Sequence, residues 1–190
     1  MMKRMGPDYY RDMPWKNGGG VTRELCKLPH PSDPARFLAR LSIATVAASG
    51  PFSVFPGVDR VLMLLEGEGL ELLREGLPPV RIDTRWRPHA FPGDVAIDCE
   101  LLGQKVRDFN LMVDRALLEG SLEVVRLEGG ETRTLPGADT VYVYGLEGRA
   151  SLAGEPVGPE ELLELESPRT LELKGAPGAA LAVIRLRRRG

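Results

Sequence analysis

Arg60-Val61-Leu62-Met63-Leu64-Leu65-Glu66-Gly67-Glu68-Gly69 is the stretch on which the reading of the fold turns. A cation precedes a short, wholly apolar run, and the run ends in a glutamate–glycine turn. That is the pattern of a buried strand entering a tight turn. A related run, Tyr142-Val143-Tyr144-Gly145-Leu146-Glu147-Gly148, stands in the second half. Each is followed by a glycine turn that carries an acid, Pro92-Gly93-Asp94 in one case and Val157-Gly158-Pro159-Glu160 in the other. Two related β units are the natural reading, with a boundary near 115–121. Further short apolar runs at 37–46, 70–73, 95–102, 109–113, 124–127 and 181–186 alternate with Gly50-Pro51, Pro56-Gly57 and Pro78-Pro79. Such spacing predicts an all-β sandwich or barrel. Residues 116–120 read as a helical turn, and 159–165, with proline at its start, carries a weak helix signal.

The bulk numbers exclude several classes. At 190 residues, 43% hydrophobic and 27% charged, the chain is an ordinary globular sequence of one large or two small domains. A net charge of −2 gives no electrostatic case for nucleic acid or a membrane surface. No apolar run approaches the roughly 20 residues of a membrane helix, and the polar start lacks a signal-peptide core. A cytoplasmic protein is the expectation. Cys26 and Cys99 read as free thiols, and His30 and His89 as loop or surface residues.

The densest chemistry lies in Met13-Pro14-Trp15-Lys16-Asn17-Gly18-Gly19-Gly20-Val21-Thr22-Arg23-Glu24. Three consecutive glycines weaken a strand, and Trp15 has no place in a linker. Two readings stand level. In one, the backbone passes close to a ligand gripped by flanking cations and amides. In the other, the glycines turn the chain and Trp15 plugs the core.

Residues 51–72 with 91–110 resemble the two sequence motifs of the cupin family of small β-barrels, through Glu66-Gly67-Glu68-Gly69, Pro92-Gly93-Asp94, Gly103 and Asn110. In a metal-binding cupin, the first motif holds two histidines and a glutamate and the second holds one histidine. Here those positions fall at about Val54, Pro56, Arg60 and Val106. None ligates a divalent cation, so neither a metal nor another cofactor is expected. Arg60 reverses the sign of the site. Its planar guanidinium suits a carboxylate, while an Asp59 or Glu24 pair is the competing structural reading.

Three stretches together, 13–24, then Gly50-Pro51-Phe52-Ser53-Val54-Phe55-Pro56-Gly57-Val58-Asp59-Arg60, then Arg107-Asp108-Phe109-Asn110-Leu111-Met112, resemble the HutD/Ves family. The resemblance implies a bicupin of two jelly-roll-type barrels. Residues 1–115 would form the first and carry the pocket, and 116–190 a degenerate second. It implies a non-catalytic regulatory or ligand-sensing role linked to histidine utilisation, with formylglutamate or a related intermediate as ligand, or a stress-linked role on the Ves branch. Carried over to this chain, the pocket comprises Trp15, Lys16, Asn17, Gly18, Gly19, Thr22, Arg23, Phe55, Arg60, Asp108 and Asn110. Arg60 would take a carboxylate, the two asparagines an amide or formyl group, and Trp15 and Phe55 would wall the site. The expected partner is a small anionic metabolite. Cupins often dimerise, and a homodimer fits the resemblance, although no stretch marks an interface. The alternative is a metal-independent isomerase, epimerase or lyase acting on a small acid or sugar, with Glu24, Asp59 or Asp108 as base.

Overall fold

The computed structural model describes every residue, Met1–Gly190. Apart from one 3₁₀ turn at Pro7–Tyr9, all regular structure is β. No helix is long and apolar enough to cross a membrane. The chain divides into two compact units, Arg11–Leu118 on one side and Met1–Tyr10 with Glu119–Gly190 on the other.

Strand β1 (Met2–Met5) opens the chain. The unit 11–118 then holds β2 (Arg11–Pro14), β3 (Gly20–Pro29), β4 (Phe37–Val46), β5 (Gly50–Phe52) and β6 (Val58–Glu66). It continues with β7 (Leu70–Arg74), β8 (Leu77–Ile82), β9 (Pro88–Pro92), β10 (Ile97–Leu101) and β11 (Val106–Asp114). Six of these strands form one sheet in the order β2-β3-β4-β11-β6-β9, and four form another in the order β5-β10-β7-β8. Leu62, Leu64, Ala44, Val46 and Val106 from the larger sheet meet Leu70, Leu72, Ile82, Ile97 and Cys99 from the smaller in one core.

The other unit repeats this plan with β12 (Leu118–Leu127), β13 (Thr132–Pro136), β14 (Thr140–Glu147), β15 (Ala150–Leu152) and β16 (Glu155–Val157), followed by β17 (Leu162–Glu166), β18 (Thr170–Gly175) and β19 (Ala179–Arg188). Its sheets run β1-β17-β14-β19-β12 and β13-β18-β15-β16, and Val141, Val143, Leu163 and Val183 face Leu152, Leu171 and Leu173 across the core. The four sheets are open, each with two edge strands, and none closes on itself as a continuous barrel.

Three expectations change. The helix signal at 159–165 resolves into a turn and strand β17, because Leu163 and Leu165 pack into the core between the sheets and Leu162 is buried on the opposite face. Residues 116–120 likewise give a turn and the start of β12. Residues 1–10, counted above with the first unit, fall in the other, because β1 pairs antiparallel with β17 from Met2 opposite Leu165 to Met5 opposite Leu162.

The repeated glutamate–glycine turns end β6 and β14, and both glycines have positive φ, +100° at Gly67 and +67° at Gly148. A Cβ on Gly67 would also sit 2.5 Å from the Lys105 carbonyl oxygen. Gly67→Ala is therefore expected to cost about 2–4 kcal/mol of unfolding free energy, combining left-handed strain with a backbone collision. Gly76→Ala is the control, with φ of +70° and open space around it; about 1 kcal/mol is expected there. Urea denaturation of both variants checks the difference.

Candidate functional site

The inner face of the six-stranded sheet changes character along its length. Near the core, β4, β6 and β11 present Val46, Leu64 and Val106. Two-residue periodicity then brings Asp108, Asn110 and Met112 of β11 to the same face. Register sets their neighbours. Asp108 lies opposite Ala44 and Leu64, Asn110 opposite Ser42 and Leu62, and Met112 opposite Arg40 and Arg60. The result is a cavity of about 500 Å³ whose polar wall is Arg40, Ser42, Arg60, Asp108 and Asn110. The β2–β3 hairpin and the segment around Phe52 and Phe55 supply the remaining walls.

Arg60 is 8% exposed. Its guanidinium carbon lies 5.4, 5.6 and 5.0 Å from the ring centres of Phe52, Phe55 and Phe91. Nη2 donates to Asn110 Oδ1 at 3.0 Å, and Nε has no partner. Burial depresses its pKa to about 10, which the Asp108 charge opposes and Arg40 reinforces, so it remains a cation at neutral pH. Neither Asp59 nor Glu24 neutralises it. Asp59 accepts from Arg115 Nε at 2.9 Å and Glu24 from Arg40 Nε at 2.8 Å.

Asp108 is 1% exposed. Its Oδ1 accepts a short hydrogen bond from Asn110 Nδ2, and Oδ2 has no partner. Burial raises its pKa to about 7 against the opposing pull of Arg60 and the Asn110 hydrogen bond. A directed chain thus runs Arg60 to Asn110 to Asp108.

The hairpin explains the tryptophan–glycine segment. Trp15 N–H donates to the Gly20 carbonyl at 2.9 Å and Gly18 N–H to the Trp15 carbonyl at 3.0 Å. Gly19 N–H donates to Asn17 Oδ1 at 3.0 Å. Gly18 and Gly19 thus spend their N–H groups closing the turn, and neither glycine lines the cavity. Gly20 has the steric reason to be glycine. A Cβ there would collide with the Thr45 carbonyl and lie 3.1 Å from the Trp15 ring. The indole is held from its other edge by Nε1, which donates to Thr22 Oγ1 at 2.8 Å.

Of the residues expected at the site, Trp15, Lys16, Asn17, Thr22, Phe55, Arg60, Asp108 and Asn110 line one cavity. Arg23 does not. It stands opposite Asp12 in the β2–β3 register and forms a bidentate ion pair with it, at 2.7 and 2.9 Å. On a strand whose Thr22 faces inward, the next residue must face the other way. Ser42, Arg40, Met112, Phe52 and Phe91 were not anticipated. Period-two counting from Asn110 reaches Met112, but nothing local shows that β4 is the neighbour of β11.

The loop reading holds for His30 and changes for His89. His89 lies on β9 and is half-buried, while the His30 side chain is 8% exposed, with Nε2 3.5 Å from Asp114 Oδ2. Neither lines the cavity. Val106, at the third cupin histidine position, is core, and no three His, Cys, Asp or Glu side chains converge anywhere in the chain. No disulfide joins Cys26 and Cys99, and burial and the Asp108 charge push Cys99 up to about 12.

A carboxyl whose folded pKa is raised from 3.8 to about 7 binds its proton more tightly folded than unfolded. Its contribution to stability is then lost as pH rises between those values. Asp108→Asn is expected to flatten this dependence. The difference in melting temperature, variant minus wild type, should grow from about pH 4 to about pH 7 and then level off.

A family model described as HutD matches residues 8–183. An uncharacterised 21.2 kDa protein in the hutC 3′ region of Pseudomonas putida is 36% identical over 173 residues, covering 84% of this chain and 88% of the relative. Protein Ves of Cronobacter sakazakii is 36% identical over 169 residues, covering 88% and 89%. The structure of HutD from Pseudomonas fluorescens SBW25 superposes over 100% of both chains with a TM-score of 0.86 at 29% identity. YhhW of Escherichia coli shares the fold alone, with a TM-score of 0.72 at 9% identity over 97% of each chain. With its all-β, cupin-like fold and this match over most of its length, the chain belongs to the HutD family.

Proposed function

We propose that the protein is a cytoplasmic, non-catalytic binding protein for a small carboxylate metabolite of the formylglutamate type, built on a bicupin scaffold and reporting on histidine catabolism. The observation that carries this reading is the buried guanidinium of Arg60. One hydrogen bond to an amide oxygen leaves most of its five N–H donors for a ligand, and no carboxylate pairs with it. A buried cation without a matched anion is costly, and a carboxylate ligand relieves that cost with charge-assisted bonds. The phenylalanines around it exclude water and strengthen those bonds. Lys16 and Asn17 at the wall add a cation and an amide for the distal end of such a ligand. The names of two relatives, HutD and a protein of the hutC 3′ region, support the link to histidine utilisation.

A second reading has one specific observation in its favour. Asp108 is a buried carboxyl with a pKa near neutrality beside a cation in a cavity, the environment of a general acid or base. Glu24 and Asp59 are held by arginines, which leaves Asp108 as the available base for a metal-independent isomerase or lyase. Turnover of a small acid or sugar that disappears in Asp108→Asn would establish it.

A thermal-shift screen with formylglutamate, glutamate, urocanate and sugar acids tests the binding reading. A ligand at about 100 times its Kd adds about 2.7 kcal/mol, a rise of several degrees for a chain of this size. Arg60→Met, which fills the phenylalanine cage without a charge, is expected to fold and to lose that rise. No response to any acid, or the same response in Arg60→Met, would remove the reading.

A further inference from the structure

Asp108 poses a problem for any carboxylate held by Arg60. Both line the same cavity, so an anionic ligand meets a second carboxyl group within its own wall. Two buried carboxylates cannot both stay ionised at close range, because the interior does not screen their repulsion. The local geometry supplies no way out through the protein. Asn110 is the one neighbour that donates to Asp108, through Nδ2 to Oδ1, and its own oxygen is committed to Arg60. Oδ2 is buried and has no partner. A protonated Oδ2 turns this orphan acceptor into a donor, the one thing a neighbouring carboxylate can use.

We propose, on the basis of the carboxylate-binding reading above, that the cavity takes up its ligand together with one proton, which resides on Asp108 Oδ2 and is donated in a hydrogen bond to the ligand carboxylate. The proton comes from solvent, no covalent bond changes, and the complex holds Arg60⁺, one ligand carboxylate and a neutral Asp108. Arg60 supplies the charge, and Asp108 sets the protonation state and specificity. A ligand group able only to donate, such as an ammonium, gains nothing from the protonated form.

The surrounding groups leave Asp108 as the proton's destination. From β6 comes Arg60, a cation throughout the neutral range. From β4 comes Arg40, paired with Glu24 of β3. From β10 comes Cys99, whose thiol is pushed up to about 12. Asn110 of β11 and Ser42 of β4 are neutral, and Lys16 lies at the exposed hairpin. The elevated pKa of ligand-free Asp108, about 7, agrees with a site that accepts a proton readily.

Calorimetric titration with formate, the smallest carboxylate, and with N-formylglutamate tests the inference, in buffers of low and high ionisation enthalpy. Near pH 8 the buffer dependence should report uptake of about one proton per ligand, fading to none by about pH 6, where Asp108 is already protonated. Affinity should weaken about tenfold per pH unit above about pH 7.5. Asp108→Asn places an amide N–H where the carboxyl proton would be. It should take up no proton and bind near pH 8 as tightly as the wild type does near pH 6. Binding heat with no buffer dependence and no pH slope overturns the proton coupling while leaving the carboxylate reading intact. A pH slope retained in Asp108→Asn also overturns it. Absence of binding by both acids removes the carboxylate reading and this inference with it. Should Asp108→Asn not fold, the wild-type buffer dependence decides alone.

Discussion

The site is organised around one buried cation. Removing a guanidinium from water costs several kcal/mol even after a protein relaxes around it. Three phenylalanine faces return part of that, at about 0.5–2 kcal/mol each, and the Asn110 hydrogen bond returns about 1.5–3 kcal/mol because one partner is charged. Asp108 would complete the compensation if it were fully ionised. Its own burial opposes this by raising its pKa to about 7. Arg60 is thus kept charged but incompletely neutralised, and the unmatched part of its field is available to an anion.

This arrangement is possible because the six-stranded sheet delivers side chains from three adjacent strands onto one face. Arg60 and Asn110 come from neighbouring strands, and Asp108 sits two residues from Asn110 on the same strand. Their rigidity is that of the ladder beneath them, since both faces of β11 are buried along almost its whole length. The hairpin that closes the cavity depends on a different constraint. Gly20 lets the Thr45 carbonyl and the indole of Trp15 both approach its own backbone, and Thr22 pins the far edge of the ring. The exposed ion pairs, such as Arg4 with Glu161 and Arg81 with Asp83, contribute little by comparison.

Much of this was legible from residues alone. Short apolar runs between glycine and proline turns announced β structure, and the repeated glutamate–glycine ending announced two units, because both signals are local. Most of the site residues clustered in three motifs, and Arg60 drew attention as a charge at the head of an apolar strand. Arg23 lies off the cavity, and of the two level readings of the glycines the hairpin follows the one in which they turn the chain. Residue type suggested ligand chemistry, whereas strand alternation and the turn's own hydrogen bonds had already assigned them elsewhere. Arg40, Ser42 and Phe91 were missed because they belong to strands whose neighbours are set by long-range pairing.

The sequence by itself determined that the chain is β-rich, that it has two related parts, that Arg60 stands where a metal-binding cupin places an acid, and that it resembles the HutD family. Each of these depends on residue identity and short spacing. Only the tertiary structure decided that Asp108 would be buried without a partner for Oδ2, that Asn110 would link it to Arg60, and that Met2–Met5 would pair with β17 in the second unit. Burial and register are properties of strands far apart in the chain. They, more than any motif, set the protonation of the carboxyl and the charge of the cavity.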